Sequence, residues 1–174
     1  MFRSDQSFSS EEVAALARVT PRQLQWWDER GVVSPEHQGH RRRYRLEELI
    51  EVSVIAELRN KGFSLQKIRR VLRFLHRELG RRLSDMLRPS SEYHLLTDGR
   101  NIFLEDNQRK IIDLLKNSRQ PIISVCISDQ MKRLESEYRQ TEVVRKRPER
   151  ELAPRPAVAA VGPRRALARR LGSS

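Results

Sequence analysis

The chain has 174 residues, with 35 Lys and Arg against 23 Asp and Glu, a formal charge of +12 and an isoelectric point of about 10.9. That length suits one ordinary domain or two small ones with a tail, and that charge seeks an anionic partner: nucleic acid first, then membrane surfaces and acidic proteins. A single cysteine, Cys126, excludes an internal disulfide framework and a thiolate-rich metal site within one chain, and no apolar run approaches the roughly 20 residues that span a bilayer.

No basic start followed by an apolar run lies near Met1, so a reducing cytoplasm is the expected compartment. Residues 1–7 are polar and expected to be disordered. Phe8-Ser9-Ser10-Glu11-Glu12-Val13 gives a helix start, with Ser9 as N-cap, Glu12 as its capping-box partner and Phe8 with Val13 as a hydrophobic staple. Val13, Leu16 and Ala17 supply its buried stripe.

A tight turn at Arg18 and Val19 leads into a second helix. Thr20 caps it, Pro21 suits its first position, Gln23 completes a capping box and Gly31 stops it. At roughly 100° per residue, Leu24, Trp27 and Asp28 share the packing side, while Arg22, Gln25, Trp26 and Glu29 share the other. Two helices this close have the spacing of a helix-turn-helix. Val32 to Arg45, with Gly39 at a polar tip and the run Arg41-Arg42-Arg43-Tyr44, reads as a small β-hairpin, or wing.

Leu46 to Lys61 is a third helix ended by Gly62. Ser64 caps a fourth, on which Leu65, Ile68, Leu72, Leu75, Leu79, Leu83 and Met86 recur every three or four residues. That stripe can extend towards Pro89 as a dimer seam, interrupted at Gly80. Residues 92–142 are expected to form a ββαβα unit: a hairpin around Asp98-Gly99 with a type I′ turn, a helix capped by Asp106 or Asn107, the strand Ile122 to Ile127, and a helix from Ser128 carrying Met131, Leu134 and Tyr138. From Val143 the sequence turns rich in Arg, Pro and Ala, with Pro148, Pro154, Pro156 and Pro163, and reads as a disordered basic tail. Charge follows the same divisions. Residues 1–91 hold 18 basic and 12 acidic side chains, 92–142 hold 8 and 9, and 143–174 hold 9 and 2.

The segments FSSEEVAALARVTPRQLQWWDERGVVSP, the wing ending RRRYR, and LRNKGFSLQKIRRVL together resemble the MerR family of bacterial transcriptional regulators, over residues 8–75. The resemblance implies a winged helix-turn-helix with Pro21 to Arg30 as recognition helix, Pro35 to Arg45 as first wing and Lys61 to Ser64 as second. It also implies a homodimer on a palindromic operator. Gln25-Trp26-Trp27 stands where the family commonly has Arg-Tyr-Tyr, so sequence preference is expected to differ. The family's metal-binding cysteines are absent, and no cofactor or metal is expected.

The expected fold is therefore α+β, with these divisions: 1–7 disordered; 8–76 a winged helix-turn-helix; 77–91 a linker helix; 92–142 a dimerisation or effector unit; 143–174 a disordered tail. Expected DNA contacts are Thr20, Arg22, Gln23, Gln25, Trp26, Arg41, Arg42, Arg43, Tyr44 and Lys61. Arg22 and Gln25 are long donors on an exposed helix face, suited to base edges or phosphates, and three successive cations on a loop suit phosphates. Lys61 and Arg59 near Gly62 suit either a backbone contact or compensation of the helix end. The histidines His37, His40, His76 and His94 lack any metal or nucleophile spacing, so enzyme activity is not expected.

The leading expectation is a transcriptional regulator on double-stranded DNA at the nucleoid, with RNA polymerase or another protein as a further partner and no membrane. An architectural DNA binder of weak sequence preference is the alternative. A protein recruiter working through residues 92–142 is another.

Overall fold

A computed structural model describes residues 2–3, 5–88 and 90–145. The element order is β1 (Ser7–Ser9), α1 (Ser10–Ala17), α2 (Pro21–Glu29), β2 (Glu36–Gln38), β3 (Arg41–Arg45), α3 (Leu46–Asn60), α4 (Leu65–Met86), β4 (His94–Thr97), β5 (Ile102–Glu105), α5 (Gln108–Asn117), β6 (Ile123–Cys126) and α6 (Ile127–Arg145).

Both expected caps of the first two helices form. Ser9 Oγ accepts from the Glu12 amide at 3.3 Å while Glu12 returns to the Ser9 amide at 2.8 Å; Thr20 Oγ1 accepts from the Gln23 amide at 3.1 Å and Gln23 Oε1 from the Thr20 amide at 2.8 Å. These reciprocal bonds satisfy amides that have no partner within the helix. The turn between α1 and α2 is tight because Arg18 takes a left-handed conformation at φ 55°, and its amide closes on Ala14 and Ala15.

α3 is the centre of the molecule. Ten of its fifteen residues are buried, on all sides, because α1, α4, α6 and β3 surround it. A helix apolar around most of its girth cannot be a surface element. Glu51 is one of the ten. Its carboxylate lies 2.9 Å from His76 Nδ1 of α4, and burial, opposed by the His76 hydrogen bond, pushes it up to about 7. The native state thus holds this proton more tightly than the unfolded chain, whose glutamates titrate near 4.5. The stability so gained is complete below the unfolded value and lost as pH rises through about 7. The melting temperature should fall between pH 5 and pH 8, and Glu51→Gln should flatten that slope; a flat wild-type profile in thermal melts at several pH values would contradict it.

Two three-stranded antiparallel sheets flank the helices, ordered β1-β3-β2 and β5-β4-β6. The first differs from the sequence expectation of a two-stranded wing. Ser7, Phe8 and Ser9 pair with Arg45, Tyr44 and Arg43, so residue 7 belongs to a strand. Phe2 is also buried, its ring 5.5 Å from Phe8 and 5.7 Å from Tyr138. Part of the segment expected to be disordered is therefore packed, because an aromatic triad with α6 holds it.

The second sheet has the expected ββαβα order, with β4 central. Its hairpin turn departs from the two-residue type I′ geometry. Four residues connect the strands, Gly99 alone among them takes positive φ, and Asp98 Oδ1 accepts from the amides of Arg100 and Asn101, both at 2.7 Å. Those backbone bonds, Asn101 first, hold the Asp98 carboxyl below its ordinary range. Asn107, not Asp106, caps α5.

α4 runs unbroken through Gly80 for 22 residues, so the segment expected as a linker helix continues α4 as far as Met86. Its stripe of Leu72, Leu75, Leu79, Leu83 and Met86 is buried within this chain. It shares one continuous core with Leu24, Trp27 and Leu58 on one side and Tyr93, Leu95, Leu104, Val125, Met131 and Leu134 on the other. The periodicity marks these positions as apolar and covered; the cover comes from the chain itself, from α3 and from the ββαβα unit, chiefly β5.

α6 ties that unit back to the head. Arg133 donates through Nη1 to the Leu16 carbonyl at 3.1 Å, one of the α1 C-terminal carbonyls without a helical partner, and through Nη2 to Ser53 Oγ at 3.2 Å. Glu137 accepts from Arg18, the turn residue, at 2.6 Å. α6 extends to Arg145, past the expected boundary at 143, and the tail expectation for residues 146–174 lies outside the described residues.

Candidate nucleic-acid interface

On α2, Leu24 and Trp27 are buried, while Arg22, Gln25, Trp26 and Glu29 are exposed to differing degrees, as the helical period implies. Trp26 keeps 37% of its surface open, with the Arg30 guanidinium 5.2 Å from its ring centroid. A cation over an indole is attracted to the ring face, which holds the two side chains together. The Arg22 guanidinium has no partner among the described residues, whereas Gln25 Nε2 donates to Glu29 at 2.8 Å. Thr20 and Gln23 spend their side-chain oxygens on the helix cap; they orient α2 and have less capacity left for an external contact.

The wing strand β3 alternates. Tyr44 is buried and Arg42 turns with it towards the helices, whereas Arg41 and Arg43 lie on the opposite side of the pleat. Arg42 Nε donates to Asp28 of α2 at 2.5 Å, and that bond raises the guanidinium further above its ordinary value. His37 of β2 meets the same carboxylate at 3.1 Å. Asp28 thus fastens the β2–β3 hairpin to α2. The run of three arginines divides into one fastener and two cations turned away from it, a division the sequence does not reveal.

Arg41→Ala and Arg43→Ala should each lower the salt slope of DNA binding by about 1 per lost phosphate contact. Arg42→Ala should weaken binding through a loosened wing, with a stability loss no greater than about 1 kcal/mol for a partly exposed pair. Anisotropy titrations across salt, beside thermal melts, separate the two; an Arg41→Ala slope equal to wild type would remove that side chain from the interface.

Where the N-terminal turns of α1 and α2 meet the wing, Ser10, Pro21, Arg22, Leu24, Gln25, Arg42 and Tyr44 line a cleft of about 420 Å³. Helix N-termini carry partial positive charge, and arginines add full charges, so the cleft favours an anion. The Tyr44 hydroxyl is enclosed there against the Ser10 side chain. Burial pushes its phenol up, keeping the proton on the oxygen as a donor. On the second wing, Arg59 donates to the Phe63 carbonyl at 2.9 Å and Gly62 takes φ 83°, while Lys61 is occupied by Glu57 at 3.2 Å. Lys67 lies 5.7 Å from the Phe63 ring centroid. Lys67 is not among the contacts expected from the sequence, because its position at this corner depends on how α4 leaves the turn.

No group of three or more His, Cys, Asp or Glu able to hold a metal occurs among the described residues. Cys126 is half-buried, and burial pushes its thiol up.

Residues 8–75 match the family model described as MerR HTH family regulatory protein, which places a helix-turn-helix of that type at the N-terminus. The match spans α1 to α3, the wing and the first half of α4, and stops there. A MerR-family transcriptional regulator from Bacillus cereus, known from a crystal structure, aligns with 78% of this chain and 99% of its own at 15% identity and a TM-score of 0.35. No curated protein matches the chain. No helix among the described residues is long and apolar enough to cross a membrane.

Proposed function

We propose that the protein is a sequence-specific transcriptional regulator that binds double-stranded DNA as a homodimer on a palindromic operator. The observation that carries the reading is the convergence, around one cleft, of two helix N-termini and the Arg22 guanidinium, unpaired among the described residues, with Gln25 and Trp26 on the exposed face of α2 beside it. In this arrangement the cleft seats a backbone phosphate, fixing the register of the head. α2 lies in the major groove, where Arg22 and Gln25 reach base edges. Trp26 covers the sugar-phosphate edge, and Arg41 and Arg43 extend the backbone contact along the wing. Gln25 must release Glu29 to read a base, so Arg22 carries the larger share of discrimination.

The dimer is proposed to form through the second unit. The α4 stripe is already covered, whereas α5 has no buried residue although Ile111, Ile112, Leu114 and Leu115 occupy four of its ten positions. RNA polymerase or another protein partner would also use this unit, away from the DNA-reading side.

Selection of bound sequences from a random pool tests the reading. Wild-type protein should return a palindrome, and Arg22→Ala should lose preference at one or two base pairs, costing about 1–3 kcal/mol where the contact is bidentate. A pool that returns no common motif would favour the architectural alternative. An unchanged motif bound more weakly by Arg22→Ala would make that residue a positioning contact.

A further inference from the structure

We propose that the outward face of α4 is a second anion-binding surface, which holds the phosphate backbone of duplex DNA flanking the stretch gripped by the head. This surface rests on the proposed DNA-binding function. Four arginines form it, Arg70, Arg73, Arg77 and Arg81, all exposed, and Arg88 follows just past the end of the helix. At about 100° per residue the four fall within an arc of roughly 80°, directly opposite the buried Ile68, Leu75 and Leu79. At about 1.5 Å per residue the stripe from Arg70 to Arg81 is roughly 17 Å long, enough to face two or three phosphates of one strand.

Acidic residues are missing from this arc. Glu78 and Asp85 lie to one side of it, where they pair with Arg82 at 3.2 Å and with Arg88 at 2.9 Å. Arg70 donates to the Gly99 carbonyl at 3.3 Å. Arg73, Arg77 and Arg81 form no ion pair or hydrogen bond among the described residues, although Arg73 borders the cleft over Glu48 and Glu51. Like charges four apart work against a helix, so the repeat Arg73, Arg77, Arg81 is unfavourable to the isolated fold.

Gly80 is the second observation. A Cβ at this position would meet nothing within 4 Å, so no neighbour in the chain requires a glycine there, while a glycine inside a helix weakens it relative to alanine. It sits at the margin of the stripe, one turn beyond Arg77, and leaves bare backbone where another backbone can approach closely.

The chemistry of the stripe selects nucleic acid over protein. The residues that share the arc with the arginines are Gln66 and Ser84, with Gly80 at its edge. A protein partner needs an apolar or aromatic anchor at the centre of its interface, and the aromatic nearest this face, Phe74 at its other edge, is packed against the core. Arginine on a polar face is the pattern that meets phosphates. The stripe also begins beside the recognition helix, because Arg69 donates to the Arg30 carbonyl at the end of α2 at 2.6 Å.

The test compares full-length wild type with Arg73→Gln/Arg77→Gln/Arg81→Gln on random-sequence duplexes of about 15 and about 40 base pairs, or roughly one and a half and four helical turns. On the longer duplex the triple variant should bind about tenfold more weakly or worse at low salt, with the salt slope reduced by up to about 3. On the shorter duplex it should match wild type. Its melting temperature should equal or exceed that of wild type, since like-charge repulsion has been removed, which shows that lost binding is not lost folding. Equal affinity and slope on the longer duplex, or equal losses on both, would overturn the proposal. Wild type that binds neither duplex would instead overturn the DNA-binding reading itself.

Discussion

Residues 1–91 expressed alone should not fold cooperatively. On the sequence alone this segment looks like an independent DNA-binding domain with a short helical appendage. In the structure its last helix depends on residues beyond 91: Leu75 and Leu79 are fully enclosed, and Leu83 and Met86 nearly so, within a core that includes Tyr93, Leu95, Leu104, Val125 and Leu134. Truncation also removes Tyr138 from Phe2 and Phe8, and Arg133 from the Leu16 carbonyl and Ser53. Each large apolar side chain left uncovered forfeits about 1.5–3 kcal/mol. A handful of these losses is comparable to the roughly 5–15 kcal/mol by which a domain is stable. Circular dichroism melts of residues 1–91 and of the full chain decide the matter; a sharp transition for the fragment near that of the parent would show the head to be autonomous.

Leu79→Ala should destabilise the full chain by about 2–5 kcal/mol, the range for removing a buried leucine side chain with partial collapse of the cavity. Its assembly state at equal concentration should not change. The two readings of this stripe diverge here: a dimer seam loses association when truncated, whereas an internal core loses stability. Denaturant unfolding beside sedimentation velocity measures both. A variant as stable as wild type but dissociated would restore the seam.

Legibility in the sequence tracks the range of the interactions involved. The capping boxes at Ser9–Glu12 and Thr20–Gln23 are contacts three residues apart, so residue types alone specify them. The burial of Leu24 and Trp27, with Trp26 outside, comes from helical period. Partners distant in the chain are not legible. Nothing near Ser7 announces that it will pair with Arg45, nor does the run Arg41 to Arg43 announce that Asp28 claims its middle member. The α4 leucines show the same limit, because periodicity says that a face is covered and not by what. The Asp98-Gly99 turn escapes its expected geometry for another reason: a short acidic side chain can itself replace a backbone turn bond, and Asp98 does so.

The bond from Arg133 to Leu16 closes a span of 117 residues, and that from Glu137 to Arg18 closes one of 119. Local helices form early and cheaply, but closures this long belong to the late, slow part of a folding reaction. On a ribosome, the two helices that would grip DNA emerge first and wait for α6 before the end of α1 and the turn after it are secured. Until then α2 is present without the α6 contacts that hold the turn before it. The order of synthesis itself thus leaves the junction of α1 and α2 unsecured until the second unit has been made.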